Sequence, residues 1–230
     1  MNSSVVQTVE ERLVHVPAGS VTLDGNLTLP QGSRAVVLFA HGSGSSRHSP
    51  RNRYVARLLN EAKLATLLID LLTLHEEVID ARTAQLRFDI DLLAERLVDA
   101  TDWLTQFPDT KDLRIGYFGA STGAAAALAA AALRPDPVGA IVSRGGRPDL
   151  AGAALIRVRA PTLLIVGEND EQVIQLNRAA LAQLRCEKQL VIVPGATHLF
   201  EEPGALDVVA RLARDWFERH LIAMVRATAT

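Results

Sequence analysis

From residue 35 onward the chain carries short, unbroken apolar runs at 35–40, 65–69, 115–118, 140–142, 162–166 and 190–193. Runs that do not alternate with polar residues are the signature of parallel strands covered on both faces. Ahead of them, Arg12 to Val16 and Val21 to Leu29 alternate and flank Pro17-Ala18-Gly19-Ser20, with Asp24-Gly25 predicted as a turn that interrupts the second stretch. These predict an antiparallel opening to the sheet. Leu86, Ile90, Leu93, Leu97, Ala100, Leu104 and Phe107 draw one apolar stripe down a predicted helix that Pro108 ends. Ala124 to Leu133 predicts a second helix, and Leu206, Val209, Ala213 and Trp216 a last one, with Pro203 and Gly204 near its start. Strands alternating with helices imply an α/β fold, a doubly wound, mostly parallel sheet of about eight strands. No repeat, linker or shift in composition divides residues 1–230, so a single domain is expected.

Composition narrows the function classes. Of 230 residues 48% are hydrophobic and 22% charged, enough apolar material for a sizeable core. A net charge of −2 supplies no basic field for a nucleic-acid backbone. The lone Cys186 forms neither an internal disulfide nor a multi-thiolate metal site, and nothing near it activates a thiol. Residues Met1 to Glu11 lack the basic flank and apolar core of a leader, and the longest apolar run, Ala124 to Leu133, is too short to span a bilayer. A cytoplasmic protein without membrane or nucleic-acid partners is the expectation.

In such a sheet catalytic groups gather beyond the carboxyl ends of the strands. There Gly119-Ala120-Ser121-Thr122-Gly123 follows one predicted strand and opens the Ala124 helix. A sharp strand-to-helix turn of this G-x-S-x-G kind exposes the serine hydroxyl, so Ser121 is the candidate nucleophile. It needs a base, and His198, in Pro194-Gly195-Ala196-Thr197-His198, lies just after the last predicted strand. The imidazole needs a carboxylate. Asp170, in Gly167-Glu168-Asn169-Asp170, is the candidate, with Glu168 and Glu171 as rivals and N-capping of the following helix as a competing role. Chain order Ser, acid, His matches one hydrolase class and contradicts the chymotrypsin and subtilisin orders. After the strand ending at Ala40, His41-Gly42-Ser43-Gly44-Ser45-Ser46 is placed to aim N–H groups into the site. The Ser43 and Thr122 N–H groups are assigned as the oxyanion hole, with His41 supporting the loop by hydrogen bonding. The same glycines lack the Lys-Ser/Thr of a P-loop and the G-x-G-x-x-G of a dinucleotide fold. His75, Glu76 and Glu77 are adjacent and would point apart on a helix, so a polar loop or helix start is preferred to a metal cluster.

Strand-HGSGSS, strand-GASTG-helix, strand-VGEND and strand-PGATH, in this order, resemble the α/β-hydrolase fold and, within it, the dienelactone hydrolase-like family of small, lidless hydrolases. The resemblance covers nearly the whole chain and implies a hydrolase of esters or lactones with Ser121, Asp170 and His198 as triad. Members proper carry a cysteine nucleophile where Ser121 stands, which questions the namesake substrate and leaves ester chemistry intact. Ser143 to Pro161 is too short for an inserted lid, so an open site for small soluble substrates is expected. Arg144 and Arg147, after another strand, are candidates to hold a substrate carboxylate, against surface solvation or internal ion pairing. The expected reaction is cleavage of a small-molecule ester or lactone through an acyl-enzyme, without metal or organic cofactor, by a monomer or small homo-oligomer. Thioester or amide cleavage, or non-catalytic ligand binding in the same crevice, are the alternatives.

Overall fold

Eight strands form one sheet in the order β1-β2-β4-β3-β5-β6-β7-β8 in a computed structural model that describes residues 10–223. Residues 1–9, most of the segment read above for a leader, lie outside the described residues. The strands are β1 (Glu11–Ala18), β2 (Val21–Thr28), β3 (Ala35–Ala40), β4 (Ala65–Ile69), β5 (Arg114–Ala120), β6 (Val138–Arg144), β7 (Thr162–Gly167) and β8 (Lys188–Val193). The helices are α1 (Pro50–Glu61), α2 (Leu74–Thr83), α3 (Ile90–Gln106), α4 (Thr122–Leu133), α5 (Glu171–Gln183) and α6 (Ala205–Phe217). β1 and β2 pair antiparallel, β2 joins β4 antiparallel, and every other pairing is parallel. The antiparallel opening and the parallel remainder agree with the hydropathy pattern.

Two expectations are corrected in detail. Asp24-Gly25 makes no turn: β2 runs straight through it, and the turn falls at Gly19-Ser20, where Gly19 takes φ +57°. A Cβ at Gly25 would come within 2.9 Å of Leu67 Cδ1 on β4 and 3.3 Å of Val14 Cγ2 on β1. Leu86 lies outside the long helix, on a short 3₁₀ turn, since Asp89 caps α3 by accepting the Leu92 N–H at 3.0 Å.

Two apolar layers sandwich the sheet. Val36, Leu38 and Tyr117 face α3, α4 and α5, whereas Val37, Phe39 and Phe118 face α1 and α6. Every residue of β3, β4 and β7 is buried, the two-sided coverage that the unbroken apolar runs call for. α4 is buried nearly all round, and its alanines let it lie close between the sheet and α3. Among the described residues no helix is long and apolar enough to cross a membrane.

The strand order reverses at β3: the next strand, β4, lies on one side of it and β5 on the other. The chain leaves β3 toward α1 on one face and leaves β5 into α4 on the opposite face. A crevice therefore opens between the carboxyl ends of β3 and β5, the point where doubly wound sheets bind their ligands.

Candidate active site

Ser121 stands at that crevice in a strained conformation, φ 50° and ψ −123°, between β5 and α4. A non-glycine residue in this region costs of order 1–3 kcal/mol and persists only where its surroundings over-determine it. Here they do. The Ser121 N–H donates to the Arg144 carbonyl at 3.3 Å, and the Arg147 N–H donates to the Ser121 carbonyl at 3.1 Å. The flanking glycines permit the crossing: a Cβ at Gly119 would sit 2.4 Å from Ala124 Cα, and one at Gly123 would sit 2.3 Å from the Ala40 carbonyl oxygen. Small residues two before and two after the serine are thus a packing requirement of the turn.

His198 and Asp170 meet as expected. His198 Nδ1 lies 2.6 Å from Asp170 Oδ2, with the carboxylate largely shielded and the ring side chain 39% exposed. Asp170 occupies the N-cap position of α5 yet makes no capping bond with its side chain, so its carboxylate serves the imidazole. The rivals have other places. Glu168 Oε2 accepts the Gly195 N–H at 2.8 Å, and the Asn169 side chain donates to the Gly195 carbonyl at 2.9 Å, fixing the loop that carries His198. Glu171 sits in the first turn of α5. The loop after β6 links histidine to serine: Gly145 takes φ +50°, and a Cβ there would be 3.5 Å from His198 Nδ1 and Cε1. Among the described residues no hydrogen bond joins Ser121 Oγ to His198, a bond that often tightens only when substrate binds.

The loop after β3 passes directly over the serine, since a Cβ at Gly42 would fall 2.9 Å from Ser121 Cβ and 3.7 Å from its Oγ. His41 holds this loop. Its Nε2 accepts the Leu71 N–H at 3.1 Å, so the ring proton resides on Nδ1, which donates to the Gly42 carbonyl at 3.0 Å. Burial pushes the His41 pKa below its ordinary value and keeps the ring neutral, as this tautomer requires. At the far end of the loop the Arg47 guanidinium pairs with Asp70, whose other oxygen accepts the Arg47 N–H at 2.6 Å. Of the two proposed oxyanion donors, the Ser43 N–H points at Thr122 Oγ1, 2.9 Å away.

A cavity of 610 Å³ opens beside this loop and extends to α2, with Gly42, Ser43, Thr122, Arg51, Leu72, Glu77 and Arg87 among its lining. Its size suits a small organic ligand. The wall made by α2 was not predicted, and the signal for it is faint because Leu74, Val78 and Ile79 are exposed and draw no inward stripe. A Thr73 capping box starts α2, Glu76 pairs with Arg96 at 2.7 Å, and Asp80 pairs with Arg87 at 2.5 Å. His75, Glu76 and Glu77 form the start of this helix, in line with the polar reading. Burial, with Asp70 second, raises the Glu77 carboxyl above its usual range.

The two candidate arginines differ in surroundings. Arg147 is engaged on both forks by Asp149, at 2.9 and 2.8 Å. Arg144 is only 7% exposed, its Nη2 lies 3.3 Å from Asn52 Oδ1, and its Nε has no partner among the described residues. Burial, reinforced by Arg51, pushes Arg144 down to about 10, so it stays charged at neutral pH.

A hydroxyl on a strained turn, a carboxylate-bound imidazole on a neighbouring loop and a cavity at the switch point of a doubly wound sheet define an α/β-hydrolase. The chain belongs to the dienelactone hydrolase family, whose sequence profile matches residues 72–226. It is similar to a dienelactone hydrolase from Anabaena variabilis ATCC 29413, at 65% identity covering 93% of this chain and 99% of that one, with a TM-score of 0.91. A putative phosphoribosyl transferase of Mycobacterium tuberculosis is 60% identical over 208 residues, which are 90% of this chain and 46% of that protein. The chain thus spans about half the length of the curated relatives it matches. Est1E from Butyrivibrio proteoclasticus shares the fold at 16% identity and a TM-score of 0.75, over 90% of this chain and 98% of that one.

Proposed function

We propose that this protein is a serine hydrolase that cleaves small soluble carboxylic esters or lactones through an acyl-enzyme. The observation that carries the reading is the 2.6 Å bond between His198 Nδ1 and Asp170 Oδ2, beside the same 144–147 loop that clasps Ser121. Asp170 holds the proton on Nδ1 and leaves Nε2 as the base. Nε2 takes the Ser121 proton as Oγ attacks the carbonyl, and the charge that develops on oxygen is held by Thr122 at the start of α4. Collapse of the intermediate expels the alcohol, which receives that proton from the imidazolium. Water, deprotonated by the same nitrogen, then releases the acid and restores Ser121.

Arg144 is the proposed partner for a substrate carboxylate, because its buried charge lacks an anionic partner among the described residues, whereas Asp149 already neutralises Arg147. The proposed setting is the cytoplasm, which suits a chain with one cysteine and no disulfide to form. Thioester and amide cleavage would use the same groups. Rates on short acyl oxygen esters, thioesters and amides with matched acyl groups rank these chemistries, and oxygen esters are expected to lead. Ser121→Ala is expected to lower kcat/KM on the best substrate by at least ~10³. An unchanged rate in that variant contradicts the proposal, and Arg144→Ala should reduce the preference for acidic over neutral esters.

A further inference from the structure

The peptide unit between Gly42 and Ser43 is committed at both ends. Its carbonyl accepts from His41 Nδ1 at 3.0 Å, and its N–H donates to Thr122 Oγ1 at 2.9 Å. Rotating that N–H toward a substrate oxygen would break both bonds, and the His41 ring is itself held by the Leu71 N–H. The loop therefore delivers its donor to the threonine hydroxyl.

A hydroxyl that accepts one hydrogen bond still has its own proton to give. Inside a helix threonine often turns that proton back onto a carbonyl of the preceding turn, but Thr122 opens α4 and has no such turn before it, and among the described residues its Oγ1 makes only the bond from Ser43. Thr122 is 3% exposed, so bulk water does not readily satisfy the proton, yet the residue borders the 610 Å³ cavity one position after Ser121. Its backbone N–H is one of the orphan donors of the first turn of α4.

We propose that the Thr122 side chain is a catalytic oxyanion donor. Thr122 then supplies two hydrogen bonds, from its N–H and its Oγ1–H, while the Ser43 N–H acts from behind by polarising the hydroxyl rather than by touching the substrate. Aligned N–H to O–H to oxyanion, each bond strengthens the next. No proton is transferred in this relay; the threonine keeps its hydrogen throughout. The inference rests on the reading of Ser121 as nucleophile.

Thr122→Val removes the hydroxyl and keeps the branched shape. With a short acyl ester, kcat is expected to fall roughly tenfold to a hundredfold while KM moves by less than about threefold, the pattern of a donor used only in the transition state. The Ki of a trifluoromethyl ketone inhibitor, which adds to the serine and presents an oxyanion, is expected to weaken by the same factor as kcat/KM. Thr122→Ser should restore most of the loss. Should the valine variant fail to fold by thermal melting, Thr122→Ala gives the same comparison. A valine or alanine variant as fast as wild type, or faster, overturns the inference, because the hydroxyl would then only mask the Ser43 N–H at rest. Wild type that neither turns over esters nor binds the ketone covalently at Ser121 overturns the nucleophile reading and this inference with it.

Discussion

His41 shows how far a single side chain determines the site. It takes no part in the proposed proton transfers, but its neutral Nδ1–H tautomer ties the end of β4 to the loop that crosses Ser121. Protonation would put a hydrogen on Nε2 and remove the acceptor that Leu71 needs. Since burial depresses the folded pKa, the unfolded chain binds this proton first as the pH falls below the ordinary value of 6.5. The stabilisation from neutral His41 is complete above that value and drains away as the pH falls toward the lower, folded pKa. His41→Gln can accept from Leu71 and donate to Gly42 without titrating. Thermal melts from about pH 7.5 to about pH 5 should therefore show a shallower loss of stability in the variant. Parallel slopes for the two proteins contradict this role. At the residue scale most of the site was legible, because Ser121, Asp170, His198 and His41 are chemically distinctive and fall just after predicted strands. The direction of the Ser43 N–H was not legible, since a peptide plane is oriented by contacts from residues 79 positions away.

At the scale of elements, hydropathy identified what the core demands and missed what it does not. Buried strands and the α3 stripe announce themselves because their apolar residues must face inward. Gly25 misled because an Asp-Gly pair carries the chemistry of a turn, while here it lies inside β2, paired with Val14 of β1 on one side and Ile69 of β4 on the other. α2 stayed hidden for the opposite reason. Leu74, Val78 and Ile79 face outward, and the helix is held by a cap and ion pairs rather than by a buried stripe. An element secured this way has low local stability. Thr73→Ala removes the hydroxyl that accepts the Glu76 N–H while leaving the residue-73 N–H to donate to Glu76, and is expected to cost about 1 kcal/mol in that helix. Because α2 walls the cavity, KM should rise more than kcat falls; a variant with unchanged KM would show that this wall does not touch substrate.

Over the whole molecule, the placement of chemistry follows from the order of strands. The reversal at β3 parts α1 from α4, and the glycines of the β5 turn bring Ser121 up against the loop from β3. β6 adds the Gly145 backbone, β7 leads to Asp170 and β8 to His198, so four successive parallel strands each contribute one part at the same end of the sheet. The turn after β6 contains no inserted helical cap beyond a 3₁₀ segment kinked at Gly152, as expected for a chain with only Ser143 to Pro161 available there. The central claim is that this convergence makes Ser121 a nucleophile activated by His198. Intact mass spectrometry after incubation with a fluorophosphonate tests it most directly: one adduct per chain, mapped to Ser121 and lost in both Ser121→Ala and His198→Ala, is the predicted result. A folded wild-type protein that gains no mass, or one modified elsewhere than at Ser121, would contradict it.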